Sequence, residues 1–137
     1  MYVPERTPDL VVINLAGNDD SMWYNNGGNT QGSFFNNETF DAKFANMINT
    51  VTGLYGKDIP ILFAYGCMEV DTYTPLATVR SKYLIENVYT EDEGYNVRYV
   101  ILPTNRDGYI SHPTDEGAQL QAETMTNFIK ENYSVFD

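Results

Sequence analysis

Three unbroken apolar runs constrain the fold of this 137-residue chain more than anything else in it. They are "LVVINLA" (Leu10–Ala16), "IPILFAYG" (Ile59–Gly66) and "VRYVILP" (Val97–Pro103), rich in β-branched and aromatic side chains. A strand with one wet face alternates apolar and polar residues, and these runs barely alternate. The pattern belongs to strands covered on both faces, as in a parallel sheet with helices packed above and below.

Segments of helical period lie between and after the runs. Over Glu38–Tyr55 the residues Phe40, Phe44, Met47, Ile48 and Val51 recur at helical spacing, with Asn37 as the expected N-cap. A second helix is expected from Thr74-Pro75, carrying Leu76, Val79, Tyr83 and Val88 on one face and stopping before Gly94. A third opens at Thr114, with Ala118, Ala122, Met125 and Ile129 as its apolar stripe. Strand and helix alternate three times, which predicts a three-layer α/β/α architecture with right-handed crossovers, as a single domain over residues 1–137.

That topology carries a shortage. Two successive right-handed crossovers in one direction put both intervening helices on the same face of the sheet. The last helix alone is left for the other face, and one helix covers three strands poorly. Leaving apolar area wet costs about 25 cal/mol per Å², so further chain, or another chain, is expected to cover it.

Charge and cysteine content remove whole classes of function. The net charge of −11 leaves no basic stripe for a nucleic-acid backbone and disfavours an anionic membrane surface. Cys67 is the single cysteine, so no internal disulfide and no thiolate metal site are expected. No apolar run approaches the ~18 residues of a membrane span, and the opening residues lack the basic and apolar regions of a signal peptide. Met1 lies almost against the first apolar run, which suggests that the chain is a fragment.

In open α/β sheets ligands gather beyond the carboxyl ends of the strands. Those ends carry the polar clusters here: "GNDDS" (Gly17–Ser21), "GCMEVDTYTP" (Gly66–Pro75) and "PTNRDGYISHP" (Pro103–Pro113). The topology therefore brings Asn18 and the single histidine, His112, to one edge. Each has a plain reading too: Asn18 as an Asx-turn closing a strand, His112 as a surface residue at a turn. Glu69 and Asp71 read as solvent-facing carboxylates. The long loop between the first strand and first helix holds Trp23, suited either to pin that loop or to line an acyl or sugar pocket.

With "GND" after a buried strand and "DGYISHP" before the last helix, the chain resembles the SGNH (GDSL-like) hydrolases. Within them it is similar to the acetylesterases of carbohydrate esterase family two. The resemblance implies a flavodoxin-like SGNH fold lacking its first two strands. It implies Asn18, with Gly17, as the oxyanion-hole group and His112 as the general base, with no metal or organic cofactor. It implies an acetylated carbohydrate or other small ester as substrate, and a secreted or cell-surface bacterial setting.

Two departures stand out. The family's aspartate sits three residues before the histidine, where this chain has Tyr109. Asp107, five before, is the remaining carboxylate that could orient the imidazole; a backbone carbonyl is the alternative. The family's nucleophile lies in a Gly-Asp-Ser motif that does not occur here, and Ser21 and Ser111 are poorly placed to replace it. The expectation is thus a serine ester hydrolase whose nucleophile lies outside this chain. The alternative is a non-catalytic carbohydrate-binding or scaffold domain of the same fold. A receiver-like module would need a phosphate-accepting aspartate, which the strand ends do not supply convincingly.

Overall fold

The computed structural model describes residues 5–15, 17, 36–67 and 76–134. Three strands, β1 (Val11–Ile13), β2 (Ile61–Tyr65) and β3 (Val97–Ile101), form a parallel sheet in the order β1-β2-β3. The register pairs Val11 with Ile61, and Ile61 with Val97. Helices α1 (Asn37–Tyr55), α2 (Leu76–Asn87) and α3 (Asp115–Asn132) complete the α/β alternation. All three apolar runs extend beyond the strands they contain.

Side chains of β2 point alternately to two cores, because successive residues of a strand face opposite ways. Ile61, Phe63 and Tyr65 join Phe44 and Ile48 of α1 and Ala77, Leu84 and Ile85 of α2 on one face. Leu62 and Ala64 join Val100, Leu102, Ile129 and Tyr133 on the other, beneath α3. The two crossover helices therefore share a face, and the last helix stands alone opposite them. The shortage foreseen above is visible at β1: Val12 is 44% exposed, although Leu62 beside it in register is fully buried.

Each helix departs from its sequence reading in detail. Asn36, not Asn37, caps α1, its side-chain oxygen accepting from Thr39 N at 3.0 Å. In α2 the buried face is Ala77, Thr78, Ser81, Leu84 and Ile85, whereas Val79 and Tyr83 are about half exposed. Small residues let this helix lie close to the sheet, and Tyr83 faces outward under the Arg80 guanidinium, 4.7 Å from its ring centre. The helix does stop before Gly94, as expected: it ends at Asn87, and Gly94 serves a later turn at φ 80°. In α3 the stripe passes through Gly117, Gln121 and Ile129, leaving Ala118 and Ala122 exposed. That shift has a polar cause at the carboxyl edge of the sheet.

Candidate functional site

The carboxyl ends of the strands are laced together around Cys67. Asn14, just after β1, directs its amide toward Cys67 Sγ at 3.7 Å. The Cys67 carbonyl accepts from Asn105 N at 3.1 Å and from Gln121 Nε2 at 3.1 Å. Gln121 also donates to Pro103 O at 2.9 Å. A buried amide on the sheet-facing side of α3 would be costly unpaired; here it bonds two carbonyls that the ends of β2 and β3 expose. This is why Gln121, and not Ala122, faces inward.

The His112 loop rises from this base and is closed by two rungs. Asn105 Oδ1 accepts from Thr114 N at 2.8 Å, and Gly108 N donates to His112 O at 2.8 Å. A Cβ on Gly108 would lie 2.7 Å from that carbonyl, so the rung requires glycine. Thr114 then caps α3, its hydroxyl accepting from Gly117 N at 3.1 Å. Pro113 precedes this cap and lies two residues before Asp115, the first helical residue.

The tip of the loop is a single turn over Tyr109–Ser111, in which Ile110 (φ 52°) and Ser111 (φ 57°) are both left-handed. Such a conformation is rare for any side chain and rarer for a β-branched one. It turns the Ile110 carbonyl back toward the imidazole, 3.0 Å from His112 Nδ1. A carbonyl only accepts, so in the neutral ring Nδ1 carries the proton and Nε2 keeps its lone pair. The ring is exposed. An accessible basic nitrogen with a fixed tautomer is equipped to take a proton from a hydroxyl.

Asp107 stands elsewhere in the loop, its carboxylate accepting from Asn105 Nδ2 at 3.3 Å. Of the two orienting partners left open by the sequence, the main-chain carbonyl is the one hydrogen-bonded to Nδ1. Gly17 lies past the end of β1 and is exposed. A Cβ there would meet nothing within 4 Å among the described residues, and its φ lies outside the left-handed range, so no crowding demands glycine. Asn18 and Trp23 lie outside the described residues, as do Ser21, Glu69, Asp71 and the Thr74-Pro75 pair. Among the described residues no three His, Cys, Asp or Glu side chains converge to hold a metal ion. No described helix is long and apolar enough to cross a membrane.

An apolar cavity of about 160 Å³ opens on the other face, lined by Leu15, Phe40, Phe44, Met47, Phe63 and Tyr65 among others. No residue of the His112 loop lines it. The residues that sequence reasoning missed are Ile110, Asn105 and Gln121. A glycine in the first turn of a helix, Gly117, was the available signal for Asn105.

The fold of this chain has counterparts among solved structures. One is an active-site mutant of a family two carbohydrate esterase from Clostridium thermocellum, in complex with cellohexaose. It matches with a TM-score of 0.72 and 28% identity, over 93% of this chain and 36% of its own. Over the matched residues the chain shares the α/β fold of that esterase. An acetyl xylan esterase from the rumen bacterium Butyrivibrio proteoclasticus shares that fold, with a TM-score of 0.64 and 20% identity. That match covers 91% of this chain and 37% of the esterase. The chain thus spans little more than a third of the length of these esterases. No protein-family model matches it, and no curated protein matches it.

Proposed function

We propose that this chain supplies the acid–base half of a serine ester hydrolase that removes acetyl groups from carbohydrate. The observation that carries the reading is the Nδ1 contact of His112 with the Ile110 carbonyl on the exposed carboxyl rim. It gives a histidine whose outward nitrogen is a base. The likeness to a family two carbohydrate esterase at 28% identity supports the substrate class.

The nucleophile is a serine outside this chain. His112 Nε2 takes the proton from that serine as its oxygen attacks the ester carbonyl. The tetrahedral oxyanion is met by the Asn18 amide, with Gly17 shaping the approach. Collapse breaks the bond to the sugar oxygen, which leaves with the proton returned by Nε2. Water, deprotonated by the same imidazole, then releases acetate. Trp23 is suited to line the acyl or sugar pocket, and Asp107 braces the loop through Asn105. A polysaccharide substrate places the protein outside the bacterial cell or on its surface.

The test uses the polypeptide that carries the serine. His112→Ala should lower release of nitrophenol from an acetyl ester by at least about 10³-fold with the melting temperature nearly unchanged. Retained activity would remove His112 from the chemistry. An intact native protein that binds oligosaccharide but hydrolyses no ester would instead favour a non-catalytic binding domain.

A further inference from the structure

Gly117 occupies the third position of α3, where glycine is a poorer helix former than alanine. The reason is crowding from outside the helix. A Cβ at this position would lie 2.6 Å from Asn105 Cβ and 2.7 Å from Asn105 Oδ1. Asn105 is thus nested against the first turn of α3 in space that only glycine leaves open. From there it makes three bonds in three directions: its N–H to Cys67 O beyond β2, its Oδ1 from Thr114 N, and its Nδ2 to Asp107. Every residue of the His112 loop lies between the two ends of the Asn105–Thr114 rung.

We propose that Asn105, seated in the notch left by Gly117, is a positioning residue for His112: it closes the base of the loop so that the strained tip holds the Ile110 carbonyl against Nδ1. This rests on the reading of His112 as the base. The inference adds the part that holds the base in register. Without the rung, the left-handed pair at Ile110 and Ser111 has less to oppose its relaxation. As the tip relaxes, the carbonyl swings off the ring.

One property of the chain makes a direct measurement possible without activity. It has a single histidine, so the imidazole ¹⁵N signals of the labelled chain are unambiguous. In the native chain the neutral ring should be predominantly the Nδ1–H tautomer. Asn105→Ala should turn that signature into a mixture while the helical circular dichroism stays within about a tenth of native. Asn105→Asp combined with Asp107→Asn keeps an acceptor for Thr114 N and a donor–acceptor pair between positions 105 and 107, and should retain most of the native tautomer. Gly117→Ala is the second variant. It favours the helix intrinsically yet displaces the Asn105 side chain, and should also give the mixture. If Asn105→Ala does not fold, Gly117→Ala decides.

A native tautomer signature in a folded Asn105→Ala or Gly117→Ala chain overturns the proposal. So does a loss in the Asn105→Asp, Asp107→Asn double variant as complete as in Asn105→Ala. Failure of the hydrolase reading would show differently, as intact protein that lacks esterase activity while the tautomer follows the variants as described.

Discussion

Ile110 is an isoleucine in the left-handed region with its side chain 70% exposed. Little burial is therefore gained in return for the strain, and the neighbouring Tyr109 is 86% exposed as well. The backbone direction, not the side chain, is what the fold keeps at this point. Ile110→Gly removes a left-handed cost of about 1–2 kcal/mol, offset in part by the greater freedom of glycine in the unfolded chain. The expected net gain is about 1 kcal/mol, or roughly 4 °C in Tm. A lowered Tm in a thermal scan would show that no strain is held there. The contrast with His112 marks the limit of legibility at this scale. The histidine could be read because its side chain and its place before a helix are written in the sequence. Its partner is a main-chain carbonyl, aimed by dihedral angles that isoleucine and serine do not advertise. Asp107, the residue with the expected chemistry, is bonded to Asn105.

Elements were legible wherever their apolar pattern was set by the sheet. The strands were found because burial on both faces leaves a continuous run, and α1 because Phe44 and Ile48 fill the core at helical spacing. The face of α2 and the first half of the α3 stripe were not, for a common reason, whereas Met125 and Ile129 of α3 do pack beneath the sheet as expected. Small and polar residues (Ala77, Ser81, Gly117, Gln121) take the inward positions where a helix lies close to the sheet or bonds its strand ends. Hydrophobicity alone points such helices the wrong way. The same closeness governs the exit of β2. Gly66 has φ 106°, and a Cβ there would strike the carbonyl of Leu102, whose own N–H donates to Tyr65 O at 2.7 Å. Gly66→Ala meets both a disfavoured backbone and a main-chain clash. It should cost about 2–4 kcal/mol in urea unfolding, the clash and the disfavoured backbone outweighing the smaller gain from a less flexible unfolded chain. A loss below about 0.5 kcal/mol, the range of an ordinary surface substitution, would mean that the ends of β2 and β3 are free to part.

At the scale of the molecule, the layer arrangement leaves α3 as the sole described cover for one face of the sheet, and Tyr133 at its end as one of the few large residues beneath it. The Tyr133 hydroxyl donates to Ile61 O at 3.3 Å, tying the end of the last helix to the start of the central strand. Burial pushes its pKa up to about 12 from 10.0, Arg98 opposing the rise and Glu91 adding to it. Tyr99, bonded to Glu86, and Tyr89, through burial, are shifted in the same direction. Below pH 10 the folded and unfolded chains both keep the Tyr133 proton, so this contribution is fully present. Between pH 10 and 12 the unfolded chain releases the proton and the folded chain does not, so stability falls as pH rises through that window. The loss is on the order of 2 kcal/mol from Tyr133 alone. Tyr133→Phe should be less stable than native at pH 9 by about 1 kcal/mol, for the missing hydrogen bond. Its urea midpoint should then decline less steeply from pH 9 to 11. Parallel declines in the two proteins would mean that Tyr133 is wet when folded, and that α3 does not seal the face it covers. Val12, exposed on that same face of β1, shows where the seal already ends within the described residues. The His112 loop is joined to the sealed side through Asn105, Gln121 and Cys67, so loosening α3 at high pH should also erode the Nδ1–H tautomer before global unfolding.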